Sequence, residues 1–105
     1  VFGDNFQRAG KGGQAVIRDE PNAYGIPTKR SPRMGEASFF TDADYNEAAR
    51  IIDASVNELR RVVRTGGTVV LPEAGLGTGR AQLEKRAPRI WALLQERMRE
   101  LIEER

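Results

Sequence analysis

The chain contains no cysteine and no histidine. The first absence excludes disulfides and thiolate chemistry, and the two together exclude the usual zinc ligand sets. No metal or other cofactor is therefore expected, and a reducing cytosol is the compartment that fits. No apolar run is long enough to cross a bilayer and no secretory signal opens the sequence, so a membrane protein is not expected. Aromatic residues make up only 7% of the chain, which leaves most of the core to aliphatic side chains. Neither sign of charge dominates: 17 Lys and Arg face 15 Asp and Glu, for a net +2. That balance permits a phosphate-bearing partner without demanding one.

Glycine is plentiful, with 11 in 105 residues. A chain of this length encloses one core, so residues 1–105 read as a single domain. It opens at Val1, not Met, inside what already reads as a strand, and a missing N-terminal segment is expected. Residues 1–3 form the end of that strand, followed by a glycine-rich segment and a short helix over 12–18. YGIPTK at 24–29 reads as a second strand, with Pro27 favouring an edge. Thr41 with Asp44 three residues on is a helix N-cap signature. The helix behind it buries Tyr45, Ala48, Ala49, Ile52, Val56, Leu59 and Val63 at i, i+3, i+4, i+7 spacing, leaving Arg50, Glu58 and Arg61 wet.

Gly66-Gly67 ends that helix, and TVVLP at 68–72 reads as a central strand covered on both faces. A turn or two of helix is expected over 81–86. A last helix, opened by Pro88 and running to about 104, takes Ile90, Leu93, Leu94, Leu101 and Ile102 as its inner stripe, flanked by Trp91 and Met98. Strand and helix alternate, which predicts a small, mostly parallel α/β sheet flanked by helices.

In such sheets ligands gather beyond the carboxyl ends of the strands. Two glycine segments are expected there: Gly10, Lys11, Gly12, Gly13 and Gln14 after the first strand, and Gly75, Leu76, Gly77, Thr78, Gly79 and Arg80 after the third. Glycine admits positive φ and carries no side chain to hold a ligand off the backbone, so successive amides can turn toward one anion. Neither segment is a Walker A loop or a dinucleotide fingerprint. Taken singly, each of these glycines reads as a turn or helix cap. Lys29, with Arg30, can meet phosphate from the side. Asp4 can serve as a general base or a capping group, and Asn5 can orient a water or turn its own loop. Glu73 ends the third strand, and Phe39-Phe40 read as core. A valine at Gly77 is expected to block a ligand while leaving the fold intact.

VFGDN and GKGGQA within 1–15, GIPTK at 25–29, and VVLPEAGLGTGRA with the following AP at 69–88 together resemble the macrodomain-like superfamily, in particular compact phage and bacterial macro-like proteins. The resemblance implies a three-layer arrangement and binding of ADP-ribose or a related nucleotide diphosphate. It casts Asn5 as the ribose-contacting asparagine, 10–15 as the first loop and 75–80 as the diphosphate loop. An ADP-ribosyl hydrolase-like activity, with water oriented by Asn5 or Asp4, is implied as well. The family's adenine-contacting aspartate lies upstream of the strand that ends in the asparagine, and this chain begins at that strand, so either a preceding segment holds it or adenine is not what the protein reads. Two rival readings stay open. Arginines on the helices could form a nucleic-acid or protein-binding module, although glutamates interleave with them. The apolar surface of the last helix could instead serve a homodimer.

Overall fold

The computed structural model describes residues 1–104 and, among them, every side chain except that of Arg80. Two strands pair in parallel: β1 (Phe2–Asn5) and β2 (Gly25–Lys29). A 3-10 helix at Gly13–Ile17 lies between them in sequence and packs on β1. The register steps from Asp4↔Pro27 to Asn5↔Lys29, so Thr28 is the extra residue of a bulge, and its Oγ1 donates to the Asp4 carbonyl at 3.3 Å. Such a bulge bends the strand end and re-aims the side chains beside it.

Helix α1 (Tyr45–Arg64) starts where its capping residues predict. The Thr41 hydroxyl accepts from the Ala43 N–H, and Asp44 accepts from the Thr41 N–H at 2.9 Å. Ala48, Ile52, Val56 and Leu59 are buried on its inner face, whereas Arg50, Glu58 and Arg61 are exposed, as the periodicity requires. A four-residue α2 (Leu83–Arg86) leads directly into α3 (Pro88–Glu103), with Pro88 at its first position, where a missing N–H costs nothing. α1 packs on both β2 and α3. Ile26, Phe40, Ile52, Leu83, Ile90 and Leu94 are all at most 1% exposed and form the centre of the core. No helix of the described residues is long and apolar enough to cross a membrane.

The molecule is thus a small α/β fold, with two departures from expectation. Residues 68–72 form no strand, and Val70 at their centre is 72% exposed. The Val1 amino group, just before β1, donates to the Val70 carbonyl of this segment at 2.9 Å. The physical reason lies on the outer edge of β1. Alternation turns the Gly3 N–H away from β2, and the side chain of Gln14 takes that donor at 2.9 Å, so a ladder with 68–72 cannot form there. The second departure is on α3: Met98 belongs to the buried stripe with Ile90, Leu94 and Leu101, while Ile102 is 69% exposed.

Candidate functional site

Both glycine segments reach one cleft of about 330 Å³, open beyond the carboxyl ends of β1 and β2. Asp4, Asn5, Thr28 and Lys29 form its floor, Gly10, Gly12, Gly13 and Gln14 one wall, and Gly77, Thr78 and Gly79 the other. The volume falls in the range of small-molecule sites, at the place where ligands of parallel sheets collect.

The first wall is fixed by polar bonds. The Asn5 side chain turns the loop: its Nδ2 donates to the Ala9 carbonyl at 2.8 Å, and its Oδ1 accepts from the Gln7 N–H at 3.0 Å. Asp4 is buried and takes three donors, from the Arg18 guanidinium at 2.6 Å, the Asn5 N–H at 2.8 Å and the Arg8 guanidinium at 3.1 Å. Burial alone would raise its pKa, but the hydrogen bonds from Arg18, the Asn5 amide and Arg8 outweigh it and hold the carboxyl below the usual range. Arg18 also donates to the carbonyls of Ala9 and Gly10, at 3.0 and 2.7 Å, and lies over the Phe2 ring. Gly10 sits at φ +89°, with Pro32 where a side chain would project.

The second wall is fixed by packing. Leu76 is 2% exposed and points into the core. Gly77 sits at φ +78°, and a Cβ there would lie 2.7 Å from Leu83 Cδ2. The contact is with a buried leucine on a helix, so a valine at 77 would disturb the fold itself, contrary to the expectation that it would block a ligand and nothing more. Gln14 joins the two walls. Its Oε1 accepts from the Gly3 N–H and its Nε2 donates to the Gly75 carbonyl, each at 2.9 Å, so one side-chain amide spans the gap that a paired strand would fill.

Among the described residues, the backbone N–H groups of Gly12, Gly13, Gln14, Gly77, Thr78 and Gly79 have no hydrogen-bond partner. All six residues line the cleft. Lys29 adds positive charge to the floor; its Nζ donates to the Arg33 carbonyl at 2.6 Å and sits over the Phe39 ring.

Other candidates lie elsewhere. Lys11 is exposed, pairs with Asp19 and does not line the cleft. Arg30 grips Asp44 through both oxygens, and Glu73 is exposed outside the cleft. Gly75 contributes through its carbonyl, and the Arg80 side chain is outside the described residues. Phe39 and Phe40 are buried, each 1% exposed. Sequence reasoning misses Arg18 and Thr28. Thr28 could be found as the neighbour of Lys29 at a strand end. Nothing in the sequence marks Arg18, whose partner is fourteen residues away.

No curated protein and no solved structure matches the chain. The profile described as "Family of unknown function (DUF7831)" matches residues 1–97. The chain, matched over nearly its whole length including both glycine segments and the floor between them, belongs to the DUF7831 family.

Proposed function

We propose that the cleft binds the phosphates of a small ligand, ADP-ribose or a related nucleotide diphosphate, through backbone amides from both walls. A single observation carries the reading: residues with unpartnered N–H groups, from segments more than sixty residues apart, line one cleft at the carboxyl ends of two parallel strands. Amides fixed by the fold bind an anion without a further ordering cost, and the carboxylate of Asp4, the acid that lines the cleft, is neutralised by Arg8 and Arg18 while Lys29 lines the cleft as a cation. The macrodomain-like arrangement belongs to the same proposal, with the Val70 carbonyl bonded to the Val1 amino group just before β1.

The proposal is one of recognition first. A carboxylate held below its usual range by two guanidinium groups is a weak proton acceptor, so Asp4 is ill suited to general-base work. If a linkage is cleaved, the water is positioned by the ligand and by what remains of the Asn5 amide. Of the seven helix arginines that a nucleic-acid reading would use, five are engaged with acids, while Arg61 is exposed without an acid partner among the described residues and Arg89 lies over the Tyr45 ring. Arg60 and Arg64 share Glu104, Arg86 meets Glu36, Arg97 meets Asp53, and Arg99 bridges Glu96 and Glu103. Such pairing favours the small ligand over a phosphate backbone tracked along the helices.

Calorimetry with ADP-ribose, ADP and pyrophosphate tests the reading, using Gly79→Asp as the control. Gly79 sits at φ +57° with nothing within 4 Å of the point where a Cβ would lie, and aspartate tolerates that backbone. Its charge should weaken every phosphate ligand about tenfold or more by like-charge repulsion, with the thermal midpoint little changed. No heat from any of the three ligands with the native chain would sink the proposal.

A further inference from the structure

The crest Gly77–Thr78–Gly79 is the wall of two hollows, not one. On its far side lies a second hollow of about 400 Å³, completed by Gln82, Glu84, Lys85 and Trp91. Trp91 is the only tryptophan of the chain, is half-buried, and packs partly against the core, so its ring is held by the fold while another part of it lines this hollow. Its indole N–H has no acceptor among the described residues. Gln82 adopts φ +49°, a left-handed conformation uncommon outside glycine, and its Oε1 accepts from Arg86 Nε at 3.0 Å, which leaves its amide N–H groups to donate. Strained backbone beside an aromatic and polar hollow is a recurrent mark of binding sites. With glycine at 77 and 79, Thr78 carries the only side chain on the crest.

A nucleoside diphosphate in the cleft carries a substituent at one end, and the two hollows share Gly77, Thr78 and Gly79 as lining, so a ligand in one adjoins the other. We infer that a ligand held by its phosphates in the cleft lays a planar heteroaromatic ring against Trp91, with Gln82, Glu84 and Lys85 available to the ring's polar edge. The inference rests on the phosphate reading above and adds what that reading leaves open: where the base of a nucleotide is held, and why a nucleotide is preferred to a bare phosphate. A rigid, partly buried indole is a suitable platform, because its ring is already ordered before the ligand arrives and stacking needs only a π face.

The single tryptophan makes the test direct. ADP and inorganic pyrophosphate are titrated against the native chain by tryptophan fluorescence and by calorimetry, then against Trp91→Phe and Trp91→Leu, with circular dichroism confirming that both variants fold. ADP should quench the emission and bind about tenfold or more tighter than pyrophosphate, which should leave the emission unchanged. Trp91→Leu should bring ADP down to the pyrophosphate level, Trp91→Phe should recover most of the difference, and pyrophosphate affinity should stay within about twofold in both, as expected for loss of a stacking contact alone. Binding of ADP without quenching, and with equal affinity in all three proteins, would overturn the inference while the phosphate reading stands. Failure of the native chain to bind either compound would overturn both.

Discussion

The two walls of the cleft carry the same signal in sequence, a run of glycines, yet they are held by different forces. The first is a polar construction in which Asp4, Asn5 and Arg18 tie the loop through side-chain hydrogen bonds. The second is an apolar one, with Leu76 driven into the core and Gly77 pressed against Leu83. A polar network is directional and depends on charge, so it answers to pH and to loss of one partner. A packed turn answers to volume. Each wall holds both kinds of glycine, open space at Gly13 and Gly79 and close contact at Gly10 and Gly77, but the neighbour is Pro32 of a loop in the first wall and the core leucine Leu83 in the second.

The sharpest break of that comparison is Gly77→Val. A β-branched residue at φ +78° meeting Leu83 at 2.7 Å combines backbone strain with overpacking. The expected loss is about 3 kcal/mol, read from urea denaturation. A loss under about 1 kcal/mol would mean that the second wall yields to volume and is not packed in the sense described.

Next in size is Arg18→Met, which removes the strongest partner of a carboxylate whose side chain is 3% exposed. Arg8 remains, half exposed, so the expected cost is about 2–3 kcal/mol, somewhat below that of breaking a fully buried pair. The same network sets a pH dependence. The folded-state pKa of Asp4 is depressed, so the unfolded chain binds its proton more readily. The stability it contributes is therefore present above the unfolded value, near 4, and is lost as pH falls through the folded one. Urea midpoints at pH 7 and pH 3 should converge for Asp4→Asn more closely than for the native chain. An equal acid loss in both would assign the effect to other carboxylates.

How far the sequence reveals these forces differs by region. The capped start of α1 and its inner stripe are legible because both signals are local: Thr41 and Asp44 three residues apart, Ala48 to Leu59 at helical spacing. Both glycine segments do line one cleft, although the strand at 68–72 through which alternation would bring the second one there does not form. TVVLP misleads because an apolar run shows that a segment suits a strand, not that a neighbouring edge is free. The edge of β1 is occupied by Gln14, eleven residues beyond Gly3, through a bond with no sequence period. The bonds of Arg18 to Asp4, Ala9 and Gly10 are hidden for the same reason: long-range side-chain bonds leave no pattern along the chain.

Gln14 is where the two constructions meet, and its variants sharpen the comparison at a smaller scale. Gln14→Leu leaves the part-buried Gly3 N–H and Gly75 carbonyl without partners, at an expected cost of about 1–2 kcal/mol. Gln14→Glu keeps the acceptor for Gly3 but cannot donate to Gly75. It should therefore speed amide hydrogen exchange at Gly75 and Leu83, whose N–H groups donate to the Pro72 and Gly77 carbonyls, and leave Arg8 and Ala15, which donate to the Asn5 and Gly12 carbonyls, unchanged. Equal acceleration in both walls would show that Gln14 supports them jointly.

The smallest effect is expected at Gly13, and its smallness carries the contrast with Gly77. Both glycines have positive φ, +58° and +78°, so backbone strain alone would rank them alike. Asparagine tolerates the left-handed region, and at Gly13 nothing lies within 4 Å of the new side chain's first carbon. Loss of glycine also restricts the unfolded chain, which offsets part of the strain, so Gly13→Asn should change stability by less than about 1 kcal/mol. Gly77→Asn carries the same backbone tolerance but still meets Leu83, so it should lose clearly more in the same urea measurement. Equal losses at the two positions would mean that φ, and not the packing of Leu83, distinguishes a glycine that shapes the second wall from one that only opens the first.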